Sequence, residues 1–268
     1  MRFFTNPYWK YHICKKALRK ALGISKSKRD VGMVGKAYKI HWSDDQLSKK
    51  LRRALRGRVS ILQTHRDFSK SSIWYLTHWI RSLDVKTALE IGSGNGLLLS
   101  ALKLLNPSVE FRGVELTEEG IAASQQALAR NMDLLIYYTE KREEEIRTIF
   151  HDVGVPIYEK GDATMLNFPD NSFDLVFSHT AIEQMPTTYQ LVFKEAYRVT
   201  KRYACFIEEF REAQRNFFQY LTLYANDYFR ASYRSVQQVG FSILGFDVKD
   251  TDKESHSVGM VFCEKKTK

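Results

Sequence analysis

Gly92, Gly94 and Gly96 fall at alternate positions in the stretch ALEIGSGNG, directly behind an apolar run. Glycine inside regular structure costs about 0.5–1 kcal/mol relative to alanine, so a cluster this dense needs a cause. Two causes fit: a tight strand-to-helix turn, or a ligand lying against bare backbone. Glu115 closes the next apolar stretch, FRGVEL. A carboxylate at the end of a second strand accepts both hydrogen bonds of a ribose diol, although a surface glutamate capping a helix would read the same way. Asp162, in EKGDATML, closes a third stretch. Its carboxylate or the amide after it can reach an adenine amino group; the same residue type also caps turns. Leu97 stands where a dinucleotide fingerprint has its third glycine, and no GxxxxGK[ST] loop is present to cradle phosphates. No basic residue closely follows the turn to compensate a polyphosphate. Together these residues describe a pocket for an adenosine carrying something other than pyrophosphate.

The elements that must position this set alternate. TALEI, EFRGVEL, VPIYEKGDA, SFDLVFS and RYACFIEEF read as strands; GLLLSALKLL, EEGIAASQQALARNM and TYQLVFKEAYRVT read as helices. Such alternation implies right-handed crossovers and a Rossmann-like α/β fold: a doubly wound, mostly parallel sheet with helices on both faces. GFSILGFDVKD and HSVGMVFCEKK depart from it, being strand-like runs joined by a charged loop without a helix. They predict an antiparallel C-terminal hairpin at one edge, and hence a seven-stranded sheet. Ligands of such sheets bind outside the carboxyl ends of the strands, where the glycine turn lies. Helical insertions near 134–153 and 211–230 exceed what the pattern requires; pieces there cover ligands or make oligomer contacts.

The 268-residue chain carries a net charge of +10, much of it before Arg66 in KKALRK, SKSKR and KKLRRALRGR. Such an arm meets phosphates or anionic lipid heads, or is simply a solvated basic face. Within it, Tyr11, Cys14, Leu18 and Leu22 recur at three- and four-residue steps among basic residues, as in a basic amphipathic helix. Residues 25–36 read as a flexible connection, 46–58 as a second basic helix and 72–83 as an apolar, aromatic-rich one. Residues 1–70 are thus expected to form a basic helical extension, and 71–268 the α/β domain. Cys14, Cys205 and Cys263 form no CxxC pair, no disulfide framework and no zinc site, and an odd count fits a reducing cytosol. The start has no continuous apolar core of a signal peptide, and no window approaches the roughly 18 apolar residues of a membrane span. The expected location is cytoplasmic, peripheral to a membrane if the arm engages one.

From about residue 86 to 265 the sequence resembles the class I S-adenosylmethionine-dependent methyltransferases. ALEIGSGNG resembles the family's first motif, FRGVEL its second-strand acidic motif, and GDATMLNFPDNSFDLVFSHTAIEQMP its third and fourth. YQLVFKEAYRVTKRYACFIEE resembles the helix and fifth strand that follow, and VQQVGFSILGF the entry to the terminal hairpin. The chain departs in having VTKRYA where members often have a lysine-proline-glycine-glycine turn, far from the cofactor pocket. The resemblance implies S-adenosyl-L-methionine as cofactor and S-adenosyl-L-homocysteine as product. It implies that Glu90 and the backbone of Gly92, Ser93, Gly94 and Gly96 face the methionine end. Glu115 would take the ribose hydroxyls and Asp162 with Ala163 the adenine, while Leu116 and Ser178 complete the cofactor-binding set.

Methyl transfer is an in-line displacement from a sulfonium. The protein must align nucleophile, methyl carbon and sulfur, exclude water and, for some acceptors, remove a proton. The nucleophile should approach from beyond strand four, where FSHTAIEQM supplies the candidate catalytic residues. His179 is placed to act as general base or to orient substrate, and Glu183 to bind or assist it. The structural alternatives are a histidine bonded to backbone and a helix-surface carboxylate. Family members acting on amines of DNA bases show [DNS]PP[YFW] here, whereas this chain reads Ser178-His179-Thr180, which disfavours nucleic acid. The expected acceptor is a small molecule or the head group of a sugar, lipid or secondary metabolite. The alternatives are an RNA or protein methyltransferase using the basic arm, and a non-catalytic protein that keeps the fold.

Overall fold

A computed structural model describes residues 7–24, 60–249 and 257–266; the connection expected at 25–36 and the helix expected at 46–58 lie outside the described residues. The expected strands form one sheet: β1 (Thr87–Ile91), β2 (Glu110–Glu115), β3 (Ile157–Lys160), β4 (Phe173–His179), β5 (Thr200–Glu208), β6 (Phe241–Lys249) and β7 (Val258–Lys265). Their order is β3-β2-β1-β4-β5-β7-β6. β1 pairs in parallel with both β2 and β4, so the winding direction reverses there and leaves a crevice at the carboxyl edge. β7 runs antiparallel between β5 and β6, which completes the expected hairpin.

Alternation along the strands sends side chains to two apolar layers. Ala88, Phe111, Leu175, Phe177, Cys205 and Ile207 share one cluster with residues of α2 (Ser60–Ser82), α3 (Leu97–Leu105), α6 (Met132–Thr139) and α7 (Glu143–Val153). Leu89, Ile91, Val114, Val176, Phe206 and Val261 share the other with Val192, Phe193 and Ala196 of α8 (Tyr189–Val199). The strands are apolar on both faces because both faces are covered.

Four features depart from the sequence-based expectations. The helix expected at 72–83 begins at Ser60 and runs through the expected boundary at residues 70 and 71. The single helix expected after β2 is broken into α4 (Glu118–Gln125), α5 (Ala127–Arg130) and α6, because Gln126 and Asn131 leave helical geometry with ψ of 7° and 27°. The segment at 134–153 buries Leu135, Tyr138, Ile146 and Phe150 in the sheet's own core. Finally, α1 (Pro7–Ala21) packs on α9 (Phe217–Asn226) through Ile13 and Ala17, not through the stripe of Tyr11, Cys14, Leu18 and Leu22. Among the described residues no helix is long and apolar enough to cross a membrane.

Candidate functional site

β1 delivers the chain to the carboxyl edge, where Gly92, Gly94 and Gly96 adopt φ of +75°, +54° and +69°. Side-chain-bearing residues rarely enter this left-handed region, so the turn itself demands glycine. A Cβ on Gly92 would lie 2.4 Å from Cβ of Ala181, and one on Gly96 would lie 2.6 Å from the Tyr158 hydroxyl. The amides of Gly92 and Ser93 donate to the Val114 carbonyl at 2.8 and 3.0 Å, laying the turn across the end of β2. Tyr158 donates its hydroxyl to the Gly96 carbonyl at 2.9 Å and meets Ser100 Oγ at 3.0 Å. Burial pushes the Tyr158 hydroxyl well above its ordinary pKa, which keeps it protonated. α3 starts directly behind Gly96, so the positive end of its dipole faces the turn.

Glu115 turns its carboxylate back onto this loop. Oε2 accepts from the Gly94 amide at 3.2 Å, while Oε1 accepts from the amide and hydroxyl of Thr117 at 3.0 and 2.7 Å. Thr117, not Glu115, caps α4, its hydroxyl accepting from the Gly120 amide at 3.0 Å. Beyond β3 the Gly161 amide donates to the Glu115 carbonyl at 2.9 Å. Asp162 follows, its Oδ1 accepting from both the amide and hydroxyl of Thr164 at 2.8 Å, and Ala163 is buried beside it. Glu115, the half-buried Leu116 and the Asp162 turn therefore form one continuous rim.

Glu90 is the electrostatic anomaly of this rim. It is 3% exposed, and its Oε2 has no hydrogen-bond partner. Burial, with the charge of Glu115 as the lesser cause, pushes its carboxyl up to about 8. Ser93 Oγ is likewise buried without a partner. A buried carboxyl with an unfilled oxygen is costly on its own and fits a site completed by a cationic group. Glu90 for an ammonium and Glu115 for a diol suit the amino acid and ribose ends of S-adenosylmethionine, while the three glycine amides are already taken, that of Gly96 by the Ser93 carbonyl at 2.9 Å.

The end of β4 is built differently. Ser178 is fully buried and donates its hydroxyl to Glu208 Oε1 at 2.6 Å. The Ala181 amide reaches the same oxygen at 3.3 Å, and the Glu183 amide donates to Glu208 Oε2 at 3.1 Å. Glu208 itself is fully buried, and desolvation pushes it up to about 7. Thr180 sits between these contacts at φ +53°, an unusual conformation for a β-branched residue, with its amide donating to the Ile207 carbonyl at 2.8 Å. The His179 ring stacks on Phe68 of α2, centroids 4.9 Å apart and planes 28° off parallel. Glu183 lies buried in a single 3-10 turn, Ile182–Gln184, where its Oε1 accepts from Gln184 Nε2 at 3.0 Å.

The expected residues thus fall into two groups. Glu90, Gly92, Ser93, Gly94, Gly96, Glu115, Leu116, Asp162 and Ala163 line the edge of β1, β2 and β3; Ser178, His179 and Glu183 follow β4. Sequence reasoning missed Glu208, Tyr158, Thr117 and Phe68. Glu208 had a signal, a charged residue ending the apolar run CFI; Thr117 had another, preceding an acidic first turn. Phe68 and Tyr158 had none, since only the assembled sheet brings them to the rim.

Residues 89–207 match the family model described as "Methyltransferase domain". No curated protein matches the sequence. Three solved structures share the fold at low identity. The magnesium protoporphyrin IX methyltransferase ChlM of Synechocystis PCC 6803, with bound SAH, has a TM-score of 0.62 at 12% identity, over 88% of this chain and 100% of its own. The [4+2]-cyclase SpnF has a TM-score of 0.57 at 16% identity, over 87% and 95%. The N-methyltransferase NodS of Bradyrhizobium japonicum WM9, in complex with S-adenosyl-L-homocysteine, has 0.56 at 9%, over 86% and 97%.

Proposed function

We propose that this protein, built around its methyltransferase domain, binds S-adenosyl-L-methionine along the β1–β2–β3 edge and methylates a small acceptor held beside the end of β4. The observation that carries the reading is Glu90: a buried carboxyl with an open oxygen beside the glycine turn. The cofactor, when bound, supplies an electrophilic methyl carbon on a sulfonium. Glu90 holds the ammonium end and Glu115 the ribose diol, with the positive end of the α3 dipole towards the carboxylate. Asp162 and Ala163 bound the adenine. His179, steadied by its stack on Phe68, orients the acceptor or takes its proton. Glu208 acts through others, fixing the Ser178–Glu183 loop on which His179 stands. The name of the ChlM structure, a porphyrin methyltransferase, supports a small-molecule acceptor, as does the absence here of the motif used on DNA amines.

Calorimetry with S-adenosylhomocysteine tests the reading. Saturable binding is expected for the wild type, and Glu115→Ala should weaken it by about 1–3 kcal/mol through a lost charged hydrogen bond. No heat at millimolar ligand would overturn the proposal. Transfer of a labelled methyl group to sugars, amphiphiles and phenols, compared with RNA, then identifies the acceptor class.

A further inference from the structure

The helix α1 is oriented back to front for a surface helix. On its inner face Ile13 and Ala17 meet Ala225, Leu221 and Tyr224 of α9. Lys16 Nζ donates to Asn226 Oδ1 at 2.7 Å, and Lys20 Nζ pairs with Asp227 and donates to the Tyr224 carbonyl at 2.7 Å. Lys10 lies over the Phe218 ring, 4.7 Å from its centroid. These bonds fix the rotation of α1 about its own axis. Three large apolar residues therefore stay outside: Tyr11 is 60% exposed, Leu18 60% and Leu22, in the turn that ends the helix, 63%. Their spacings of seven and four residues place them in one stripe. Lys15 and Arg19, both exposed, flank that stripe. No acidic residue occurs in the sequence before Asp30.

We infer that this outer face of α1 docks the protein on an anionic bilayer surface, with Tyr11, Leu18 and Leu22 at the acyl boundary and Lys15 and Arg19 among the lipid phosphates. A membrane interface is apolar below and negative above, which matches both parts of the stripe. A second copy of the chain would set lysine against lysine, and like charges facing each other oppose association. An RNA backbone answers the cations but gives the leucines no apolar surface. The docking is independent of the methyl-transfer reading and is tested without cofactor or turnover.

Cys14 stands beside the stripe and is exposed, whereas Cys205 and Cys263 are buried, so an environment-sensitive thiol dye reports from α1 alone. The full-length labelled protein is floated with phosphatidylcholine vesicles, with or without phosphatidylglycerol. Flotation and a blue-shifted emission are expected with phosphatidylglycerol and far less without it. The pair Leu18→Gln and Leu22→Gln should lower partitioning at least about tenfold by removing buried apolar surface. Lys15→Gln with Arg19→Gln should lower it about 25-fold, since each charge near the surface contributes about fivefold. All four positions are exposed, so circular dichroism should be unchanged. Three results would each overturn the inference: no flotation, unaltered flotation of the leucine variants, or a dimer in sedimentation that Leu18→Gln dissolves. Binding of RNA that is insensitive to the leucine substitutions and displaces vesicles would overturn it as well.

Discussion

Glu90 and Glu208 stand at the carboxyl ends of neighbouring parts of one sheet, both buried, both with carboxyls raised by desolvation. Their surroundings are opposite. Glu208 has both oxygens filled, by the Ser178 hydroxyl and the amides of Ala181 and Glu183. Glu90 keeps an oxygen open. The Glu208 carboxylate is therefore satisfied and serves to hold a loop; the Glu90 carboxyl is not, and in the proposed reading it takes a cation. The same side chain at the same depth takes either role, according to how many donors the fold aims at it. The β1–β2 and β4–β5 halves touch where the missing Cβ of Gly92 makes room for Ala181.

The largest effect should come from the β4–β5 half. Glu208→Ala leaves three buried donors without an acceptor and should cost about 3–5 kcal/mol in urea unfolding, whereas Glu208→Gln should cost about half that. A wild-type unfolding midpoint for Glu208→Ala would break the comparison. Next comes the seam. Gly92→Ala forces a Cβ into Ala181 at positive φ and should cost about 1–3 kcal/mol while lowering cofactor affinity. Gly245→Ala, with nothing within 4 Å, is the neutral control.

In the β1–β2 half the signs differ. Glu90→Gln should weaken S-adenosylhomocysteine binding by about 1–3 kcal/mol, yet leave the ligand-free protein as stable as the wild type or more so. The same carboxyl makes stability depend on pH. The folded protein retains a proton on Glu90 that the unfolded chain loses above the ordinary 4.5, so this contribution is full below that value and is lost as pH rises towards about 8. The melting temperature of the free protein should fall from about pH 4.5 to about 8, and fall less in Glu90→Gln. A bound ammonium would lower the Glu90 pKa, so binding near neutrality should release a proton, read as buffer-dependent heat. Buffer-independent heat would show that Glu90 enters the complex already ionised.

The β1–β2 half was largely legible in the sequence because its parts are local. GxGxG marks a turn by the conformations its own residues must adopt, and an acid ending an apolar run marks a strand end. The β4–β5 half was less legible. His179 and Glu183 were visible as polar residues after a strand, but their setting was not: Phe68 reaches His179 from a helix before the sheet begins, and Glu208 reaches Ser178 from 30 residues away. The orientation of α1 was hidden for the same reason. Its apolar periodicity was plain, but the face it buries is chosen by Asp227, Asn226 and the Tyr224 carbonyl on α9.

By itself, then, the sequence determined the alternation of strands and helices, the terminal hairpin, the glycine turn and the carboxylates at the strand ends. Each depends on periodicity or on backbone conformations set by near neighbours. The tertiary structure alone decided which carboxylate is satisfied and which stays open, and which side of α1 meets solvent. Those outcomes depend on hydrogen-bond donors and apolar surfaces that meet only after distant segments have packed.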